Sequence, residues 1–270
     1  MIAEILCSMM LLTNGDTLVT DSISRAPSDA KCSVELTVDY PTAGPEALVD
    51  SVRAYIATEV KSFYMARLDG DGSPRPAEYS GDLKDGKALV DFHSEHILAD
   101  MQDIYRSLTK DYGGTEMYMT DQGHIRRTSE NDSIVSYEAG CYQYEGGAHG
   151  LYWIEGTTFR KSDGKVLDHI FRNDKITDVQ QMITNELQKD FNVNSWEELK
   201  EQLFVDEYAS YVPMPQGDPY IVNDSIVFSY QQYEIGAYAI GMPGAKIAIN
   251  DLRKMLAPSF LKILKPNSTK

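Results

Sequence analysis

"SIVSYEAGCYQYEGGAHGLYWIEGTTFR", Ser133 to Arg160, sets the direction of the chain through the middle of the protein. Two runs of strand character flank the short segment Gly146-Gly147-Ala148-His149-Gly150. Glycine enters left-handed backbone conformations at no steric cost and weakens regular elements, so a glycine-dense break between two aromatic runs predicts a tight chain reversal. Just upstream, "MYMTDQGHI" is divided from the first run by Asn131-Asp132, another turn pair. Just downstream, "KSDGK" turns the chain from "YWIEGTTFR" into "VLDHIF". Short strands joined by short turns predict an antiparallel meander.

Further upstream, "CSVELTVDY" alternates Val34, Leu36, Val38 and Tyr40 with polar residues, a strand with one wet face. "EALVDSVRAYIATEVKSFYM" spaces Leu48, Val52, Tyr55, Ile56, Val60 and Phe63 as a helix, with Pro45 at its start. After a loop rich in Gly, Pro and Asp, a second helix carries Ile97, Leu98, Met101, Ile104, Tyr105 and Leu108, with Ser94 as its expected N-cap and Gly113-Gly114 as its stop. Downstream, "ITDVQQMITNELQKDF" and "WEELKEQLF" read as helices, "DSIVFSYQQ" and "AKIAIN" as strands, and "DLRKML" as a last short helix.

Helices and antiparallel strands in separate blocks predict an α+β class, an antiparallel sheet of short strands packed by amphipathic helices in two α/β subdomains. The expected division is a tether over 1–30, an N-terminal module over 31–114, a C-terminal module over 115–257 and a tail over 258–270. Residues 115–257 are expected to form an antiparallel sheet backed by the helix near 176–191.

Composition bounds the function. The net charge is 25 − 41 = −16, which disfavours nucleic acid as a partner and attracts cationic ones, while also serving solubility. Cys7, Cys32 and Cys141 show no metal-site spacing, and Cys32 and Cys141 read either as a disulfide or as two buried thiols. "MIAEILCSMMLL" is apolar but lacks a basic leader and a small-residue cleavage site, so it reads as a damaged or truncated export signal, and no apolar run is long enough to span a membrane.

Two motifs carry a resemblance. Gly146, Gly147, His149 and Gly150 in "YEGGAHG", with Tyr233, Glu234, Tyr238 and Gly241 in "YEIGAYAIG", resemble the paired signatures of a bacterial envelope domain of unknown function. That domain occurs in the RsiV-type lysozyme-sensing anti-sigma factor and ahead of the catalytic domain of PdaC-type peptidoglycan deacetylases. Gly236-Ala237 stands where the family more usually has Ala-Pro. The resemblance implies an exported protein, periplasmic or an outer-surface lipoprotein, touching membrane only through a lipid anchor. It also implies recognition without catalysis, of lysozyme or another cationic protein, or of peptidoglycan or another glycan.

The residues expected to form the binding face are Tyr144, Gly146, Gly147, His149, Gly150, Tyr152, Trp153, Tyr233, Glu234 and Tyr238, since tyrosine and tryptophan bury area while keeping a polar tip. No catalytic residue, cofactor or metal site is expected. His149 has no adjacent nucleophile, and a hydrolase using it stands as the alternative, beside a structural lipoprotein without ligand. His93 and His96 are three apart, not four, with Ser94 in place of the zincin glutamate, so they read as a solvated helix start. Glu197-Glu198 and Asp206-Glu207 read as wet faces.

Overall fold

The alternation on the first long strand sorts its side chains as the period of two requires: Val34, Leu36, Val38 and Tyr40 are buried, and Glu35 between them is exposed. The computed structural model describes residues 17–64, 76–111 and 117–264. The first unit holds strands β1 (Val19–Arg25), β2 (Cys32–Ala43), β3 (Met119–Glu130), β4 (Ile134–Tyr144) and β5 (Leu151–Arg160), with helices α1 (Glu46–Glu59) and α2 (Gly86–Asp111) between β2 and β3. The strands form one sheet in the order β1-β2-β3-β4-β5. Leu48, Val52 and Ile56 of α1 and Leu89, Val90, Ile97 and Met101 of α2 close its apolar face into one core.

The second unit comprises α3 (Ile176–Asp190), α4 (Trp196–Lys200), β6 (Tyr220–Val222), β7 (Ser225–Ser229), β8 (Gly244–Ala248), α5 (Ile249–Leu252) and α6 (Pro258–Ile263). Its three strands form a separate antiparallel sheet, β6-β7-β8. Val179, Ile183 and Leu187 of α3 share its core with Ile226, Phe228 and Ile247. The chain is therefore α+β with two subdomains, and the meander β3-β4-β5 is antiparallel as read.

Several expectations are corrected. The large sheet is mixed, because β2 pairs with β3 in parallel from Cys32↔Met119 to Val38↔Ile125. Two helices intervene between those strands, and such a crossover returns the chain in the same direction where a hairpin would reverse it. That pairing also carries the sheet across the expected 114/115 boundary, and apart from Ile134 of β4 the second core is built from residues after β5. The helix at 176–191 accordingly backs the small sheet and not the meander.

The expected tether contains β1, an edge strand paired with β2 from Val19↔Ala43 to Arg25↔Leu36. Its entry is pinned where Leu18 N donates to Glu130 Oε1 at 2.9 Å and Arg127 donates to Leu18 O at 2.5 Å. The expected tail begins with α6, whose Phe260 is buried in the second core. Helix α2 starts eight residues before Ser94, capped by Asp85 Oδ1, which accepts from Ala88 N at 2.9 Å. Ser94 lies inside the helix and donates to Asp91 O. Cys32 and Cys141 are buried free thiols on strands separated by β3. Residues 1–16 with Cys7, residues 65–75 of the connection after α1, Gly113-Gly114 and residues 265–270 lie outside the described residues.

The second unit seats on the face of the large sheet opposite α1 and α2, burying Ser136, Glu138 and Thr158 there. Tyr220 OH donates to Glu138 Oε2 at 2.6 Å, Ile221 N to Thr158 Oγ1 at 2.9 Å, and Asn223 N to Ser129 Oγ at 2.9 Å. These bonds bring the segment after β7 to the open edge of β5.

Candidate functional site

The reversal Glu145–Gly150 joins β4 to β5 as the glycines predict. Gly146 takes φ 83, a left-handed conformation, while no positive φ occurs at Gly147 or Gly150. Gly150 is needed for another reason: a Cβ there would sit 2.4 Å from the Tyr142 ring. Tyr144 OH donates to Gly147 O at 3.0 Å and braces the turn. With its ends fixed in this way, the turn holds His149 at the surface.

The second signature reaches it from the loop after β7. An open strand edge leaves backbone groups unpaired, and two glutamines satisfy them here. Gln231 accepts from Ile154 N at 3.1 Å and donates to Ile154 O at 2.6 Å, and Gln232 accepts from Tyr152 N at 2.8 Å. Glu234 organises the loop from within, taking Gln216 N on one carboxylate oxygen and Gln231 N on the other, each at 2.7 Å. Between them Tyr233 is held at φ 67 and left 49% exposed. A non-glycine residue there costs roughly 1–2 kcal/mol, sustained by the bonds on either side.

The two signatures meet around His149. Its ring stacks on Tyr238 with centroids 3.7 Å apart and planes 20° from parallel. Tyr238 OH donates to Gly150 O at 3.0 Å, and His149 Nδ1 lies 3.1 Å from the same carbonyl. A carbonyl can only accept, so Nδ1 carries a proton; in the neutral ring Nε2 then accepts from Tyr233 OH at 3.1 Å. The result is a surface aromatic cluster of His149, Tyr233 and Tyr238 assembled from segments 84 residues apart.

The remaining expected residues divide. Tyr144 and Gly147 brace the turn, and Glu234 serves the loop. Tyr152 lies on the face opposite the helices, its ring 6.5 Å from that of His124 with planes 23° from parallel. Trp153, one position on, points to the opposite face and packs against Phe63 at 5.4 Å. Gln231 and Gln232, which dock the loop, were not among the expected residues; amides after a strand are the only sequence signal they leave.

Chemistry elsewhere is constrained by burial. Cys141 donates to buried Asp121 at 3.0 Å, and burial together with that carboxylate pushes its thiol far above the usual range. Burial raises Asp121 itself to about 7, against the lowering effect of hydrogen bonds from Gln143 and Cys141. Glu138, also buried, is opposed by desolvation yet held at about 2 by His124, Tyr220 and Arg126.

His93 is buried in α2 beside Tyr64 OH at 3.1 Å, and burial with nearby Lys61 and His96 lowers it to about 4. It is not the solvated helix start read from the sequence; only His96 is exposed. Among the described residues no group of three His, Cys, Asp or Glu side chains could hold a metal ion, and no helix is long and apolar enough to cross a membrane.

Residues 168–250 match the model of a family described as a protein of unknown function, DUF3298. That match contains the second signature, and the first lies outside it. A DUF3298 family member from Bacteroides fragilis has a similar crystal structure, with a TM-score of 0.68 and 21% identity over 93% of this chain and 99% of that one. A DUF3298 family protein from Pseudomonas aeruginosa aligns with a TM-score of 0.58 and 14% identity over 91% of this chain and 97% of that one. At these identities the likeness is one of fold, across both units. No curated protein matches the chain.

Proposed function

We propose that this protein is a noncatalytic extracytoplasmic binding module of the bacterial envelope that recognises its partner, a cationic protein such as lysozyme or a cell-wall glycan, through the His149–Tyr233–Tyr238 face. The observation that carries the reading is the convergence of two distant signatures into one surface aromatic cluster around a tyrosine held at positive φ. Backbone strain at an exposed aromatic is of little use to folding and is common where a side chain is presented to a ligand.

The hydrolase alternative finds less support. His149 Nε2 bonds a tyrosine hydroxyl and Nδ1 faces a backbone carbonyl, so the ring is paired with neither a serine or cysteine nucleophile nor an orienting carboxylate. Cys141 is buried in a thiol form with Asp121. The envelope setting rests on the resemblance of the two signatures.

Calorimetric titration with lysozyme and with muropeptides, beside a turnover assay on peptidoglycan, tests the proposal. Heat with one ligand and no turnover is expected, with Tyr233→Ala weakening binding about tenfold, as anchoring aromatics do. Turnover abolished by His149→Ala would favour the hydrolase, and no heat with either ligand would leave a structural role.

A further inference from the structure

Bonded to the loop of the aromatic cluster runs a segment that combines acidic residues with exposed aromatic rings. "WEELKEQLFVDEY", Trp196 to Tyr208, carries five acidic residues and one lysine. Its underside is anchored: Leu199 and Leu203 are buried in the second core, Trp196 Nε1 donates to Ala209 O at 3.0 Å, and Phe204 N donates to Ile235 O at 2.7 Å. The last bond ties it directly to the loop that carries Tyr233 and Tyr238. Its upper side presents Phe204 at 66% exposed and Tyr208 at 88%. The backbone at Tyr208 is pinned by an Asp206 side-chain turn, Asp206 Oδ1 accepting from Tyr208 N at 2.7 Å, and Lys200 donates to Glu207 O. Glu197, Glu198, Glu201, Asp206 and Glu207 of the same segment are exposed as well.

Large aromatic side chains held out on a pinned backbone lose little entropy when a partner covers them. Carboxylates in the same segment favour positive charge opposite, and the rings themselves attract arginine and lysine heads. We infer that Phe204, Tyr208 and the acidic residues of their segment extend the binding face and fit it to a basic protein surface rich in arginine and lysine. This rests on the proposed binding role and selects, between its two partner classes, the protein.

Binding of the full chain to lysozyme and to cytochrome c, two basic proteins of unrelated fold, provides the test. Surface plasmon resonance would compare wild type with Phe204→Ala/Tyr208→Ala, Glu201→Lys/Glu207→Lys and, on the neighbouring cluster, Tyr233→Ala. Circular dichroism would check that each variant folds. The aromatic double variant is expected to bind at least one basic protein roughly tenfold or more weakly. The charge reversal should slow association and flatten its dependence on salt. If Tyr233→Ala weakens binding while both segment variants match wild type, the inference fails and the binding module stands. If the segment variants lose muropeptide binding but keep basic-protein binding, the choice of partner is overturned. If wild type binds neither basic protein at low salt, the inference is overturned as well, and the muropeptide titration then decides whether the module reading survives.

Discussion

Two buried carboxyl groups on opposite faces of the same sheet behave in opposite ways. Asp121 on β3 faces the helices, where its partners are the neutral donors Cys141 and Gln143, and it is raised to about 7. Glu138 on β4 faces the second unit, where Arg126 and Tyr220 donate to it and His124 Nε2 lies 3.5 Å away, and it is held at about 2. Both are nearly inaccessible, at 1% and 6% exposed, but Asp121 lies the deeper of the two. Desolvation therefore weighs more on Asp121, and donor charge and number widen the difference. Neutral partners leave most of the desolvation of Asp121 uncompensated, whereas His124, a phenol and a guanidinium together more than offset that of Glu138. The helix face is therefore built to exclude charge and the opposite face to use it, which is the face where the second unit docks and the aromatic cluster forms.

The strongest way to break this contrast is Glu138→Ala. It leaves Tyr220 OH buried without its acceptor and Arg126 without its carboxylate, so stability should fall by about 3 kcal/mol in denaturant melts, with the seam between the units loosening first. The contribution of Glu138 is present above its ordinary value of 4.5 and is lost as pH falls toward about 2. A Glu138→Ala loss below 1 kcal/mol at pH 7 would show that the network is not a structural joint.

Asp121→Asn probes the other face. The folded state holds the proton of Asp121 up to about 7, while the unfolded chain releases it near 3.8, so stability falls as pH rises between those values, by up to ~4 kcal/mol. His93 acts in the opposite sense. Its folded value of about 4 lies below the ordinary 6.5, so its contribution is present above 6.5 and lost as pH falls toward 4. In wild type the two slopes partly cancel. Asp121→Asn should remove one of them, and the melting temperature of the variant should then fall more steeply than that of wild type from pH 7 to pH 4. Parallel profiles would contradict the assignment of a buried neutral carboxyl.

Smaller effects are expected at the cluster. Tyr233→Phe deletes only the hydroxyl that bonds His149 Nε2 and should change stability by about 0.5–1.5 kcal/mol. It should also shift the nitrogen resonances of the imidazole, because Nε2 loses its donor. Gly146→Ala places a side chain at φ 83 and should cost about 1 kcal/mol; Gly147→Ala, with open space around it, should be neutral. Equal losses at the two glycines would refute the turn geometry.

Much of this architecture is legible in local pattern. Helix α1, the meander and the glycine reversal follow from residue spacing and turn chemistry, because the forces that make them act within a few residues. The parallel pairing of β2 with β3 is not local, since only the packing of two intervening helices sets the direction of return. The early strand β1 is hidden for a related reason: "VTDSISR" is polar because it is an edge, and its anchors Glu130 and Arg127 lie far along the chain. His93 and Ser94 obscured the start of α2, as buried polar residues break an apolar periodicity that otherwise runs through them. At the site, the two signatures could be picked out singly, but their meeting depends on Gln231 and Gln232 capping the β5 edge, a contact no spacing rule contains.

Hydrogen exchange with and without saturating ligand, lysozyme or muropeptide according to which gives heat, tests the central claim most directly. The account predicts slowed exchange concentrated at 144–154 and 231–241, with α1 and α2 on the far side of the sheet unchanged. Slowed exchange over α1 and α2 with none at the two signatures would contradict it.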